Sequence, residues 1–124
     1  MPHGNIEHVN ITVTDPERSK RLFEELLGWK ERWRGPSLLG GRTIHVGDEA
    51  NYLAIYTRDG AQGGFEKGVP LNHVGLQVDD LAAAEAVVNG HGLKTFSHSD
   101  YDPGPSSFYF LDWDGIEFEV VSYE

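Results

Sequence analysis

The segment His8-Val9-Asn10-Ile11-Thr12-Val13-Thr14-Asp15 returns 65 residues later as His73-Val74-Gly75-Leu76-Gln77-Val78-Asp79-Asp80. Gly28-Trp29-Lys30 returns as Gly92-Leu93-Lys94, with the offset changed by a single residue. A repeat of this kind restricts the fold before any local reading begins, because whatever supersecondary unit the first half forms, the second half must form again. At 124 residues the chain has room for one domain of ordinary size. The two copies are therefore expected to be modules of one domain spanning 1–124: module one 1–59, a linker 60–70 and module two 71–124.

Each copy opens on strict alternation. Val9, Ile11 and Val13 share one side and His8, Asn10, Thr12 and Thr14 the other, which is the pattern of a half-buried strand. Val74, Leu76 and Val78 repeat it against His73, Gly75 and Gln77. A helix signal follows each strand. Asp15-Pro16-Glu17 supplies an N-cap, a proline at the first helical position and an acidic first turn; Leu22, Phe23, Leu26 and Leu27 form the apolar stripe, and Gly28 is the stop. In the second copy Asp79 or Asp80 caps the alanine-rich run that begins at Leu81, with Gly90 and Gly92 at its end. Three further strands per copy are expected near 29–34, 38–46 and 51–58, then 93–98, 106–111 and 116–122. The expected fold is α+β: two βαβββ modules. The glycines at 60, 63 and 64 neither keep phosphate-loop spacing nor open a helix, so they read as a connector.

Composition narrows the partners. Ten Lys and Arg against twenty Asp and Glu give a formal net charge of −10, which phosphate backbones and anionic lipid surfaces would repel, so no nucleic acid and no membrane partner is expected. The N-terminal residues lack a basic, apolar signal pattern, no apolar run is long enough to span a bilayer, and a cytoplasmic protein is expected. With no cysteine, disulfides, thiolate metal sites and a cysteine nucleophile are all excluded. Any metal must then rest on nitrogen and oxygen.

Those ligands have candidates. A lone histidine on the polar side of a strand is usually just exposed. His8 and His73, however, stand at equivalent places in the two copies, and the last strand, Ile116-Glu117-Phe118-Glu119-Val120-Val121-Ser122, puts Glu119 on the side opposite Ile116, Phe118 and Val120. Two imidazoles and a carboxylate can occupy one face of a divalent ion and leave positions open for water or substrate. Tyr109, opposite Phe108 and Phe110, reads equally as a hydrogen-bond donor to substrate and as an aromatic wall residue.

Taken in order, Ile6-Glu7-His8-Val9-Asn10, the helix end Leu26-Leu27-Gly28-Trp29, Leu71-Asn72-His73-Val74-Gly75 and Phe108-Tyr109-Phe110-Leu111-Asp112-Trp113-Asp114-Gly115 leading to Glu119 resemble the vicinal oxygen chelate superfamily. That group includes glyoxalase I, extradiol dioxygenases, methylmalonyl-CoA epimerase, fosfomycin-resistance transferases and bleomycin-resistance proteins. The resemblance covers nearly the whole chain. It implies cupped mixed sheets with helices outside, one divalent metal (Fe, Mn, Zn or Ni), a small-molecule substrate bound through oxygen, and a homodimer. It also implies ligand places at the first and last strand of each module: His8, Ala54, His73 and Glu119. Alanine cannot ligate, so the set departs from glyoxalase I and looks more like the three-ligand fosfomycin-resistance enzymes and dioxygenases. Tyr109, ten residues before Glu119, matches their substrate-contacting tyrosine. The segment Ser97-His98-Ser99-Asp100 lacks the cationic contact of the fosfomycin enzymes, and Arg58 stands where the dioxygenases carry a further histidine just outside the ligand set.

Tyr52 and Tyr56 flank Ala54 and are expected to shape a cavity, with His45 near it as a candidate base or an exposed histidine. Arg34, Arg42 and Arg58 are surface arginines able to pair with an anion. Trp29 and Trp33 are expected to alternate along the second strand, packing the sheet or a subunit contact. Asp112-Trp113-Asp114-Gly115 reads as a hairpin turn rather than a calcium loop, and His3, His91 and His98 as surface residues. The expected function is a metal-dependent lyase, isomerase, transferase or dioxygenase step. The alternative is non-catalytic sequestration of a drug-like ligand, as in the bleomycin-resistance branch, and a scaffold role is a third reading.

Overall fold

A computed structural model of the chain describes residues 2–101 and 103–124. The chain forms two compact units, Met1–Gln62 and Gly63–Glu124. The first contains β1 (His8–Thr12), α1 (Pro16–Leu27), β2 (Lys30–Pro36), β3 (Arg42–Gly47) and β4 (Tyr52–Thr57). The second contains β5 (Val74–Gln77), α2 (Leu81–Gly90), β6 (Thr95–Asp100), β7 (Ser106–Leu111) and β8 (Glu117–Ser122). Each unit is one four-stranded mixed sheet, ordered β1-β4-β3-β2 in the first and β5-β8-β7-β6 in the second. The opening strand of each lies parallel to the last, while the other pairings are antiparallel. The repeated βαβββ order expected from the sequence is the fold.

The helices start and stop where their caps dictate. Asp15 Oδ1 accepts from the Arg18 backbone N–H at 3.2 Å, Pro16 opens α1, and Gly28, at φ +68°, donates its N–H to Glu24 O. Of the two candidates for α2 it is Asp80 that caps, accepting from Ala83 N–H at 3.0 Å. Leu22, Phe23 and Leu26 bury the inner face of α1 with Ile11, Val13, Ile44, Val46, Leu53 and Ile55. In the second unit Ala84 and Val88 of α2 join Leu76, Phe108, Phe110, Phe118 and Val120, with the Phe110 and Phe118 rings stacked at 5.3 Å. Each fully buried phenylalanine contributes about 1.5–3 kcal/mol by leaving water.

Two local expectations are corrected. Strand β3 begins at Arg42 rather than near 38, because Ser37 and Gly41 close a turn (Ser37 N–H to Gly41 O, 3.0 Å) that leaves Leu38 and Leu39 almost wholly exposed. Apolarity there does not signal a strand. Trp29 lies outside β2, whose pairing with β3 is interrupted between Glu31 and Trp33, so the expected alternation of Trp29 with Trp33 fails at a bulge on Arg32. Strand β6 is likewise irregular between Phe96 and Ser99, where Ser97 adopts φ +52°. The Asp112 to Gly115 turn is as expected: Asp112 Oδ1 accepts from Asp114 N–H and Ile116 N–H, and Gly115 takes φ +88°.

Candidate metal and ligand site

Strand β8 sits between β5 and β7, and its register decides which polar groups meet. Glu119 is opposite Gly75 on one side and Tyr109 on the other. One pleat earlier on the same face stand Glu117 and, just ahead of β5, His73. His73 Nε2 lies 3.3 Å from Glu119 Oε1, while Nδ1 is held at 2.7 Å by Asn72 Oδ1. The Tyr109 ring meets the His73 imidazole edge-on at 5.6 Å. Burial, with the adjoining Glu119 charge and its hydrogen bond, raises the Tyr109 hydroxyl above its ordinary range, so near neutral pH this group is a donor and not a base. Glu117 is buried; Lys67 Nζ approaches its Oε2 to 2.8 Å, but off the line of a hydrogen bond, and His73 Nδ1 lies 3.7 Å from the same oxygen.

The first unit repeats this plan with different chemistry. Ala54 is opposite Asn10 and His45, as Glu119 is opposite Gly75 and Tyr109, so the two sheets share one register and Ala54 occupies the structural place of Glu119. His45 occupies that of Tyr109. His8 Nδ1 is engaged by Glu7 Oε1 at 2.9 Å, the counterpart of the Asn72–His73 contact. Tyr52 stacks on His8 at 4.8 Å and on His45 at 4.5 Å, and the Trp33 ring meets His45 at 5.0 Å. Burial first, then the neighbouring His8 and the Arg32 guanidinium, lower the affinity of His45 for a proton, which favours the neutral imidazole.

The structure thus joins His73, Glu119 and Tyr109 within the second unit and places His8 on the equivalent strand of the first. Among the described residues, no group of three His, Asp or Glu side chains forms a ready-made ion site. Tyr56 turns out to be tied to the β2–β3 turn, its hydroxyl donating to Gly40 O at 3.0 Å. Arg34 is held by Glu31 and Glu17 at 2.6 Å each. His98 is exposed as expected, and its Nε2, 2.5 Å from Glu85 Oε2, ties β6 to α2. His91 packs edge-on against Trp113. Glu7, Asn72, Glu117, Lys67 and Arg32 were not foreseen. An oxygen-bearing side chain before each repeated histidine was the available signal for the first two.

Residues 5–120 match the glyoxalase/bleomycin resistance protein/dioxygenase superfamily. The chain belongs to this superfamily. Several of its solved members share the fold. A glyoxylase/bleomycin resistance protein/dioxygenase domain from Frankia sp. EAN1pec aligns with TM-score 0.82 at 24% identity, covering 98% of both chains. The fosfomycin resistance protein FosX from Mesorhizobium loti gives 0.73 at 22%, covering 98% of this chain and 93% of its own. FosX from Listeria monocytogenes, complexed with Mn(II) and 1S,2S-dihydroxypropylphosphonic acid, gives 0.75 at 15%, covering 97% and 90%. At such identities the likeness establishes the glyoxalase-superfamily fold and nothing finer. No curated protein matches the chain.

Proposed function

We propose that the chain is a divalent-metal-dependent enzyme of the vicinal oxygen chelate type, with His8, His73 and Glu119 as ligands to one Fe, Mn, Zn or Ni ion. The observation that carries this reading is the matched state of the two histidines. Each has Nδ1 occupied by the side chain just before it, Glu7 or Asn72, which leaves Nε2 for a metal and fixes the ring that presents it. Glu119 Oε1 already faces one of these nitrogens. The donor set is chemically suited to such an ion, being imidazole and carboxylate with no thiolate. Mn(II) in a structure of the same fold is consistent with it.

When bound, the ion would supply Lewis acidity toward an oxygen of a small substrate. The chain's own groups do the rest. Tyr109, held protonated beside Glu119, donates to a substrate oxygen; Ala54 offers no carboxylate, so glyoxalase I-type proton transfer at that place is absent. A lyase, isomerase, transferase or dioxygenase step fits this inventory, and a homodimer is the proposed assembly. A second reading, drug sequestration without turnover, has one observation in its favour: the contiguous rings of Trp33, His45, Tyr52 and His8.

Metal content of purified protein, measured before and after chelation and in His73→Ala, separates the two. One equivalent of metal, removed by chelator and missing from the variant, is the expected result. Protein that carries no metal as purified, and the same metal content with and without His73, would overturn the enzyme reading whether or not aromatic compounds bind.

A further inference from the structure

The ring cluster of the first unit contains a cation that none of the chemistry above uses. Arg32 is the extra residue of the bulge in β2, and the bulge turns it toward the same face as Trp33. Its guanidinium carbon lies 4.4 Å from the centre of the Tyr52 ring. Arg34, two residues on, is spent on Glu17 and Glu31, whereas among the described residues Arg32 has no carboxylate at ion-pair distance. Asp48, near enough to feel its charge, is already turned to the backbone N–H groups of Ala50 and Asn51 at 2.9 and 2.8 Å.

Beside this cation lies a flat surface. The Trp33 indole runs from His45 along the backbone of Gly35, so close that a Cβ on that glycine would stand 2.5 Å from it. One side of the indole is thus laid against the strand, yet the residue remains 48% exposed, which leaves the other side to solvent. From Arg32 through Tyr52 and His45 to Trp33, successive contacts are 4.4, 4.5 and 5.0 Å. A guanidinium already stacked on a ring is pre-oriented, and its remaining N–H groups favour a planar anion that can take two parallel hydrogen bonds. In a chain of net charge −10, an anion is attracted only where such a local cation outweighs the field of the whole.

We propose that this face binds a flat aromatic carboxylate, with Arg32 pairing the carboxylate and the open side of Trp33 stacking on the ring. The site lies wholly in the first unit and does not depend on a bound metal, so it is tested on chelator-treated protein. Benzoate, its neutral isostere benzamide, and acetate are titrated by calorimetry or ligand-observed NMR. Benzoate is expected to bind saturably, one per chain, with benzamide and acetate each about tenfold weaker or more, the scale of one charge-assisted pair or one stacked ring. Arg32→Gln should bring benzoate down to the benzamide level and leave benzamide unchanged. Trp33→Ala should weaken benzoate and benzamide together, and neither exposed residue is needed for the core. Equal affinity for benzoate and benzamide, benzoate binding indifferent to Arg32→Gln, or no saturable binding at all would each overturn the proposal. Loss of metal in His73→Ala with benzoate binding intact would separate it from the reading above.

Discussion

If the Nδ1 contacts fix the imidazoles for a metal, Asn72→Ala is the cleanest perturbation of that arrangement. The Asn72 Oδ1 to His73 Nδ1 contact is 2.7 Å long and exposed, so its loss should hardly touch folding. A solvent-exposed hydrogen bond whose partners water can replace is worth at most about 0.5 kcal/mol to stability. Its effect on the ring is larger. Without the acceptor the imidazole exchanges tautomers and rotates, so part of its population presents Nδ1 or a protonated Nε2. Loss of such an outer partner typically weakens metal binding about 10–100-fold, or about 1.4–2.7 kcal/mol. Asn72→Asp keeps an oxygen at the same place and should restore most of that loss. The assay is a competition titration of Mn(II) against a chelator of known affinity, with a urea melt of each variant as control. Metal affinity within twofold of wild type in Asn72→Ala, alongside its abolition in His73→Ala, would refute the argument that the contact orients a ligand.

Three further outcomes follow from the packing and charges. Phe118→Ala should destabilise by about 3–5 kcal/mol in chemical denaturation, since its fully buried ring stacks on Phe110 and the strands around it cannot close the void. Lys67→Ala should cost about 1–2 kcal/mol, less than a fully buried pair because the lysine is half exposed; the double variant with Glu117→Gln should recover much of it, and additive effects would refute the pairing. Glu85 is held below its ordinary 4.5 first by the Thr95 hydroxyl and then by His98, so its contribution to stability is present above that pH and is lost as pH falls through the folded value. Thr95→Val should therefore flatten the acid limb of the stability–pH curve, and an unchanged limb would show that Glu85 does not drive it.

Much of the plan was legible because it depends on short-range rules. Alternation placed β1 and β5; Asp15, Pro16 and Gly28 bounded α1; Asp112 and Gly115 made their turn. What the sequence hid was set by neighbours. Leu38 and Leu39 look like strand residues until Ser37 and Gly41 pair and turn them outward. The bulge at Arg32 cannot be read from alternation, since an extra residue is defined only against the partner strand β3.

The sequence by itself determined that there are two βαβββ copies and that His8 and His73 correspond, because a repeat and a two-residue period are properties of the chain alone. The tertiary structure decided which side chains touch: Glu119 beside His73 and Tyr109, Ala54 and His45 in the matching places, and Arg32 over Tyr52. Strand register is fixed by hydrogen bonds between segments tens of residues apart, and a shift of one residue would turn every one of these groups to the opposite face.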